Sequence, residues 1–234
     1  MVEPFGLAGG LMPSSAFNHI PTIGHYVGNF QPTSILDIGV GFGKWGYLFR
    51  EITDISKSQD NPPQYHRENW QCRIDGVEGF PQYITEIQRL IYNNIYIGDV
   101  RDVIKTLGTY DVIFAGDVIE HLTKEDGKTL IREAMKHANK AFVLSTPAYE
   151  MAQEDINDNP LEIHKSQWSA AEFQALGREF GGARTLTVQS KILVAIIVNP
   201  GVPMPRRVSY LKSFVRARLI NLLGERRYKK LGGI

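Results

Sequence analysis

The segment LDIGVGFGKWG (36–46) limits the folds open to this chain more than any other stretch. A short apolar run ends at Asp37 and Ile38, glycines follow at 39, 41 and 43, and a helix-like pattern opens at once. Glycine permits a sharp reversal and a close approach of backbone to ligand, and a helix start offers free amides to an anionic group. A tight strand–helix turn with no ligand is the plain alternative. The dinucleotide pattern Gly-x-Gly-x-x-Gly fails, because the sixth position counted from Gly39 is Lys44. No Walker-type Gly-Lys-Ser/Thr is present either.

The rest of the chain supplies the frame for this loop. SILDIG (34–39), CRIDGVE (72–78), NIYIGD (94–99), YDVIFAGD (110–117) and KAFVLSTP (140–147) each read as a short buried strand. Amphipathic stretches lie between them near 43–52, 82–92, 100–107 and 123–138. That order predicts an α/β fold, a doubly wound and mainly parallel sheet covered on both faces. A polar loop (146–166) and a helix near 168–180 follow. ARTLTVQS (183–190) and KILVAIIV (191–198) then predict an antiparallel hairpin at the sheet edge. Asp37, Glu78, Asp99 and Asp117 stand at successive strand ends, over the crevice where open α/β sheets bind ligands. A rim of carboxylates suits hydroxyls, amino groups and positive charge, and repels a triphosphate.

Charge is divided unevenly. The chain holds 26 Lys and Arg against 25 Asp and Glu, yet nine of the basic residues and only Glu225 among the acids lie in 205–234. The preceding 204 residues carry about −7 and the tail about +8. Val208, Leu211, Val215, Leu219 and Leu222 recur at helical spacing, predicting an amphipathic basic helix over 206–223. Three roles are open to it: docking on the acidic body, lying on an anionic membrane surface, or contacting nucleic acid. The longest purely apolar run, Ile192 to Val198, is far short of the ~20 residues of a membrane-spanning helix. No Lys or Arg precedes Lys44, and the single cysteine, Cys72, excludes an internal disulfide or multi-cysteine zinc site. The expectation is a cytoplasmic protein, peripheral at a membrane if the tail binds one. Its parts are an N-terminal cap or lid (1–33), a ligand-binding domain (34–199) and the tail (200–234). The long polar connection 53–71 reads equally as a functional loop or a tolerated insertion.

LDIGVGFG, Glu78 at the second strand end, Gly98–Asp99, DVIEHL (117–122) and the late FVLSTP together resemble the class I S-adenosylmethionine-dependent methyltransferases, over about 34–198. The resemblance implies a seven-stranded Rossmann-like sheet and S-adenosylmethionine as cofactor. It implies that Asp37, Gly39 and Gly41 hold the methionine end and that Gly43 allows close helix packing. Glu78 takes the ribose hydroxyls, Asp99 the adenine amino group, Val100 packs on the ring, and Ala115, Gly116 and Asp117 border the methionine. The stretched 53–71 connection departs from the family pattern.

Methyl transfer to a hydroxyl needs an aligned acceptor and a means of removing its proton. His121 and His164 sit where the fold places the acceptor, and are the candidate catalytic residues. Asp117, Glu120, His121 and His164 also resemble the metal motif of ubiquinone-pathway O-methyltransferases and small-RNA 2′-O-methyltransferases, implying Mg²⁺ or Mn²⁺. A histidine base without metal and purely structural roles stay open. No Asn/Asp-Pro-Pro-Tyr/Phe follows the fourth strand, so the acceptor expected is a small-molecule or sugar hydroxyl. A metal-dependent RNA 2′-O-methyltransferase is the second reading, and a non-catalytic cofactor-binding scaffold acting through its tail is the third.

Overall fold

Seven strands form one sheet in the order β3-β2-β1-β4-β5-β7-β6. They are β1 (Ser34–Ile38), β2 (Arg73–Glu78), β3 (Asn94–Ile97), β4 (Tyr110–Gly116), β5 (Ala138–Pro147), β6 (Arg184–Gln189) and β7 (Ile192–Val198). In this computed structural model residues 17–59, 62–154 and 158–206 are described. β1 to β5 pair in parallel, whereas β7 runs antiparallel to both β5 and β6. The edge hairpin and each expected strand are therefore present. The near-continuous apolar sequences of β4, β5 and β7 are those of strands covered on both faces, whereas the edge strands β3 and β6 stay partly exposed. Phe142 to Leu144 and Ala195 to Val198 are fully buried.

Among the described residues the α-helices are α1 (Ile20–Asn29), α2 (Lys44–Thr53), α3 (Glu86–Ile91), α4 (Val100–Val103), α5 (Lys124–His137) and α6 (Ala170–Arg178). α5 starts where Thr123 accepts a bond from the Asp126 amide, and α6 where Ser169 and Glu172 form a reciprocal capping box. Their apolar stripes, Leu130, Ile131 and Ala134 from α5 and Phe173 and Leu176 from α6, pack on one face of the sheet. α1 buries Ile23, Tyr26 and Val27, and its Gly24 and Gly28 lie against Ile52 of α2. The absent side chains let the two helices approach.

The described residues of the 53–71 connection form three 3₁₀ turns, Ile55–Gln59, Pro62–Tyr65 and Arg67–Asn69, beside the buried charges of Arg50 and Asp54. Asp54 Oδ1 accepts from the Gln71 and Cys72 amides at 2.7 and 3.2 Å, and its Oδ2 accepts from Arg50 at 3.0 Å. Arg50 donates further to the carbonyls of Ile91 and Cys72 and to Asn93 Oδ1, and its guanidinium lies 4.6 Å from the Trp70 ring centre. A buried ion pair is tolerable when its donors are satisfied in this way, here four of the five guanidinium N–H groups. Cys72 is a buried core residue beside this pair, its thiol pushed up to about 11 by burial.

The described residues through Met204 belong to one compact unit, and a second begins at Pro205. The amphipathic helix expected in the tail, and residues 1–16 of the expected cap, lie outside the described residues. Among those described, no helix is long and apolar enough to cross a membrane.

Candidate active site

A cavity of about 750 Å³ opens over the carboxyl ends of β1, β2, β3 and β4. Gly39, Gly41, Glu78, Asp99, Val100, Gly116, Asp117, Glu120, His121 and His164 all line it. The strand order explains the gathering: parallel β3-β2-β1-β4 carry their C-terminal residues to one edge, so side chains far apart in sequence meet. None of the described residues of the 53–71 connection lines this cavity, which favours the structural reading of that stretch.

The glycine loop is built by its backbone. Gly39, Gly41 and Gly43 have φ of +78°, +49° and +84°, and a Cβ on Gly39 would stand 2.5 Å from Val118. Glu78 locks the loop from below: its Oε2 accepts from the Gly41 amide and its Oε1 from the Phe80 amide, each at 2.8 Å. Burial raises the Glu78 pKa above its usual range, while these amides act in the opposite direction. An ionised carboxylate has about four acceptor positions, so the two amide bonds leave Glu78 capacity to accept from a ligand hydroxyl.

Asp37 is placed differently from its expected ligand role. It is fully buried under the loop, outside the cavity lining, and accepts a 2.5 Å bond from the Tyr92 hydroxyl. Tyr92 in turn accepts from the Gly46 amide, tying β1 to α2. Burial pushes the Asp37 carboxyl up to about 8. Gly43 and Ala115 also stand off the cavity wall; Gly43 caps α2, and Ala115 is buried in β4.

Asp99 caps α4 and meets Arg101, whose guanidinium reaches Asp126 at 3.0 Å. Bonding to Arg101 holds the Asp99 carboxyl below its usual range. This three-member chain links the end of β3 to the start of α5 along the cavity rim. Arg101 and Asp126 are absent from the sequence expectations, because only the fold reveals their proximity.

On the opposite wall the turn Ile119–His121 meets the segment after β5. The Glu120 carbonyl accepts from the amides of Lys165 and Ser166 at 2.8 and 3.0 Å, fixing His164 beside His121. The two imidazoles lie 4.8 Å apart, edge to face. Glu120, His121 and His164 each offer a donor atom, all within 4.8 Å of one another. Both Glu120 carboxylate oxygens and His121 Nδ1 are buried without a hydrogen-bond partner among the described residues. His164 Nδ1 lies 2.6 Å from the Met151 carbonyl, which can only accept, so in the neutral ring this nitrogen carries the proton and the lone pair is on Nε2.

Burial, reinforced by the charges of Asp117 and Glu162, raises Glu120 far above an ordinary carboxyl. Burial, then His164, lowers His121 to about 4. An ionised Glu120 left alone here costs several kcal/mol, so it needs a proton or a cation. Asp117, expected as a fourth ligand, stands outside this group: its Oδ1 accepts from Ser145 at 2.8 Å and its Oδ2 faces His19 Nε2 at 3.9 Å. Glu162, which sequence reading missed two places before His164, accepts from Tyr83 across the cavity at 3.0 Å.

No protein-family model matches the chain, and comparison with curated proteins finds no relative. Solved structures do share its architecture. An O-methyltransferase family protein from Burkholderia thailandensis superposes with a TM-score of 0.53 at 10% identity, over 77% of this chain and 55% of that one. The methyltransferase domain of bacterial CtHen1 gives 0.52 at 15% identity, over 77% of this chain and 97% of that domain. The small RNA methyltransferase HEN1 gives 0.55 at 16% identity, over 85% of this chain and 28% of that one. The chain thus spans just over half the length of the first of these. The seven-stranded sheet with its antiparallel edge is the Rossmann-like methyltransferase fold.

Proposed function

We propose that this chain is an S-adenosylmethionine-dependent methyltransferase that acts on a hydroxyl of a small molecule or sugar, with a divalent cation at Glu120, His121 and His164. The observation that carries the proposal is the donor set: two buried carboxylate oxygens without partners beside two imidazoles, one with its proton committed to a backbone carbonyl. One carboxylate and two imidazoles suit Mn²⁺ better than Mg²⁺, which prefers oxygen ligands.

S-adenosylmethionine supplies a methyl group on a sulfonium, already activated for in-line displacement. A cation held by Glu120, His121 and His164 would lower the pKa of a hydroxyl next to it. The chain's own residues do the positioning. Glu78 orients a ribose through its remaining acceptor capacity, and Val100 and Asp99 border the adenine. Gly39, Gly41 and Gly116 let the ligand lie against backbone. The Tyr83–Glu162 bond ties two residues of the cavity lining to each other. A volume of about 750 Å³ holds the nucleoside, its amino-acid arm and a compact acceptor.

An RNA 2′-hydroxyl acceptor would use the same donor set. The cavity lining carries Glu78, Asp99, Asp117, Glu120, Asp126 and Glu162 against Lys44, Arg101 and Lys165. That excess of carboxylates disfavours a phosphate backbone near the transfer point. A scaffold without catalysis has no use for an intact donor set.

The test is transfer of radiolabelled methyl from S-adenosylmethionine to a panel of phenols, vicinal diols and sugars, with a short RNA alongside. The expected result is transfer to a small hydroxyl acceptor, abolished by chelator and restored by Mn²⁺. Transfer to RNA alone would replace the acceptor class, and full activity in chelator would remove the cation.

A further inference from the structure

The chain that leaves β5 presents an alternating pattern to the cavity. Pro147, Tyr149, Met151 and Gln153 line it, whereas Ala148, Glu150 and Ala152 between them do not. An extended chain points successive side chains to opposite sides, so the sequence PAYEMAQ (147–153) turns a proline, a tyrosine and a methionine toward the ligand space. The acid Glu150 is exposed on the other side. β7 adds Ile192, which pairs directly with Pro147 and also lines the cavity. This apolar strip runs up to the donor set, because the carbonyl of Met151 is the group that holds His164 Nδ1.

The polar groups of the same wall are engaged with one another. Gln153 Nε2 donates to the Glu162 carbonyl at 2.8 Å, and the Gln153 carbonyl accepts from the His164 amide at 3.2 Å. Asn159 is buried, and its Oδ1 accepts from the Leu161 amide at 3.0 Å. Glu162 accepts from the Tyr83 hydroxyl, and Lys165 is exposed at the cavity edge. What this leaves for an acceptor is apolar. Pro147 is buried, Met151 and Ile192 are half-buried, and Tyr149 and Leu161 keep 52% and 44% of their surface exposed. Leu161 lies against Gly79, next to Glu78, where an added Cβ would stand 2.6 Å from it. The apolar wall therefore extends from the sheet edge to the residues beside Glu78. Large apolar side chains left uncovered along one cavity wall mark a surface for a ligand.

A sugar carries several hydroxyls, and each one that loses water on entering needs a partner. This wall offers such partners chiefly at the donor set. A ring with an apolar substituent needs a polar contact only at its hydroxyl. It also gains from Tyr149 and Met151, since an aromatic face and a thioether both favour aromatic neighbours.

We propose that the acceptor is a phenol carrying an apolar substituent, its hydroxyl at Glu120, His121 and His164 and its apolar body on Pro147, Tyr149, Met151 and Ile192. This rests on the methyltransferase reading above and narrows its acceptor, with Tyr149 and Met151 as the specificity-determining residues.

The test is calorimetric titration of phenol, 4-ethylphenol, 4-butylphenol and methyl α-glucoside into the full chain saturated with S-adenosylhomocysteine, with Mn²⁺ present. Each added methylene is expected to tighten binding about three- to fourfold. The glucoside is expected to bind more than about fiftyfold more weakly than 4-butylphenol. Tyr149→Ser and Met151→Gln are each expected to weaken 4-butylphenol about fivefold. Both variants should keep S-adenosylhomocysteine affinity within about twofold of wild type, which shows that they are folded. A glucoside bound as tightly as 4-butylphenol, no gain along the phenol series, or variants that bind 4-butylphenol as wild type does would overturn the apolar acceptor and leave the cofactor reading in place. A wild type that does not bind S-adenosylhomocysteine would overturn the cofactor reading, and this acceptor with it.

Discussion

Replacing Asp37 by asparagine should change how the stability of the apoprotein depends on pH. Asp37 is fully buried, and burial pushes its carboxyl from 3.8 up to about 8. A raised carboxyl pKa means that the native state holds a proton the unfolded chain has already released. Stability from this group is therefore fully present below the unfolded pKa and is lost as pH rises toward 8, with no further change above it. Each unit of pH in that window costs at most about 1.4 kcal/mol, so raising pH from 5 to 7 removes about 2–3 kcal/mol. Asparagine keeps the shape and an acceptor for the Tyr92 hydroxyl but has no proton to lose. Urea unfolding of both proteins at pH 5, 6 and 7 measures the effect, and the difference between the two cancels groups common to both. The expected outcome is that the variant gains on wild type by about 1 kcal/mol per unit of pH. A constant difference across that range would show that Asp37 is ionised in the fold, and the account of its burial would be wrong.

Gly46→Ala should lower the melting temperature by several degrees, because the new Cβ would stand 2.2 Å from the Tyr92 ring beneath the glycine loop. An unchanged melting curve would mean that this packing is looser than described. Glu120→Gln should abolish Mn²⁺ binding measured by electron paramagnetic resonance while leaving S-adenosylhomocysteine affinity within about twofold, since the carboxylate lies on the acceptor wall. Retained Mn²⁺ binding would exclude the donor set.

The central strands were readable from sequence because they are short, mostly apolar runs that a two-sided sheet must bury, as Val112 to Ala115 and Ala195 to Val198 show. Boundaries moved where chemistry is local: β5 begins at Ala138 directly from α5, two residues before the expected Lys140. The carboxylates at the strand ends were legible as a group, but their directions were not. Adjacent positions on a strand face opposite sides, and the partner that draws Asp37 under the loop, Tyr92, lies 55 positions away. The same holds for Arg101 with Asp126 and for Tyr83 with Glu162, pairs made only by folding. His121 and His164 could be nominated from residue type and element order. Their proximity depends on two backbone bonds from 165 and 166 to the Glu120 carbonyl, which no side-chain pattern signals.

The central claim is that the cavity over β1, β2, β3 and β4 binds S-adenosylmethionine, with Glu78 on the ribose. Calorimetric titration of S-adenosylmethionine into wild type and Glu78→Ala tests it most directly. Loss of charge-assisted hydrogen bonds predicts one equivalent bound by wild type and an affinity ~10–100-fold weaker in the variant. No binding by wild type, or equal affinity in the two proteins, would contradict it.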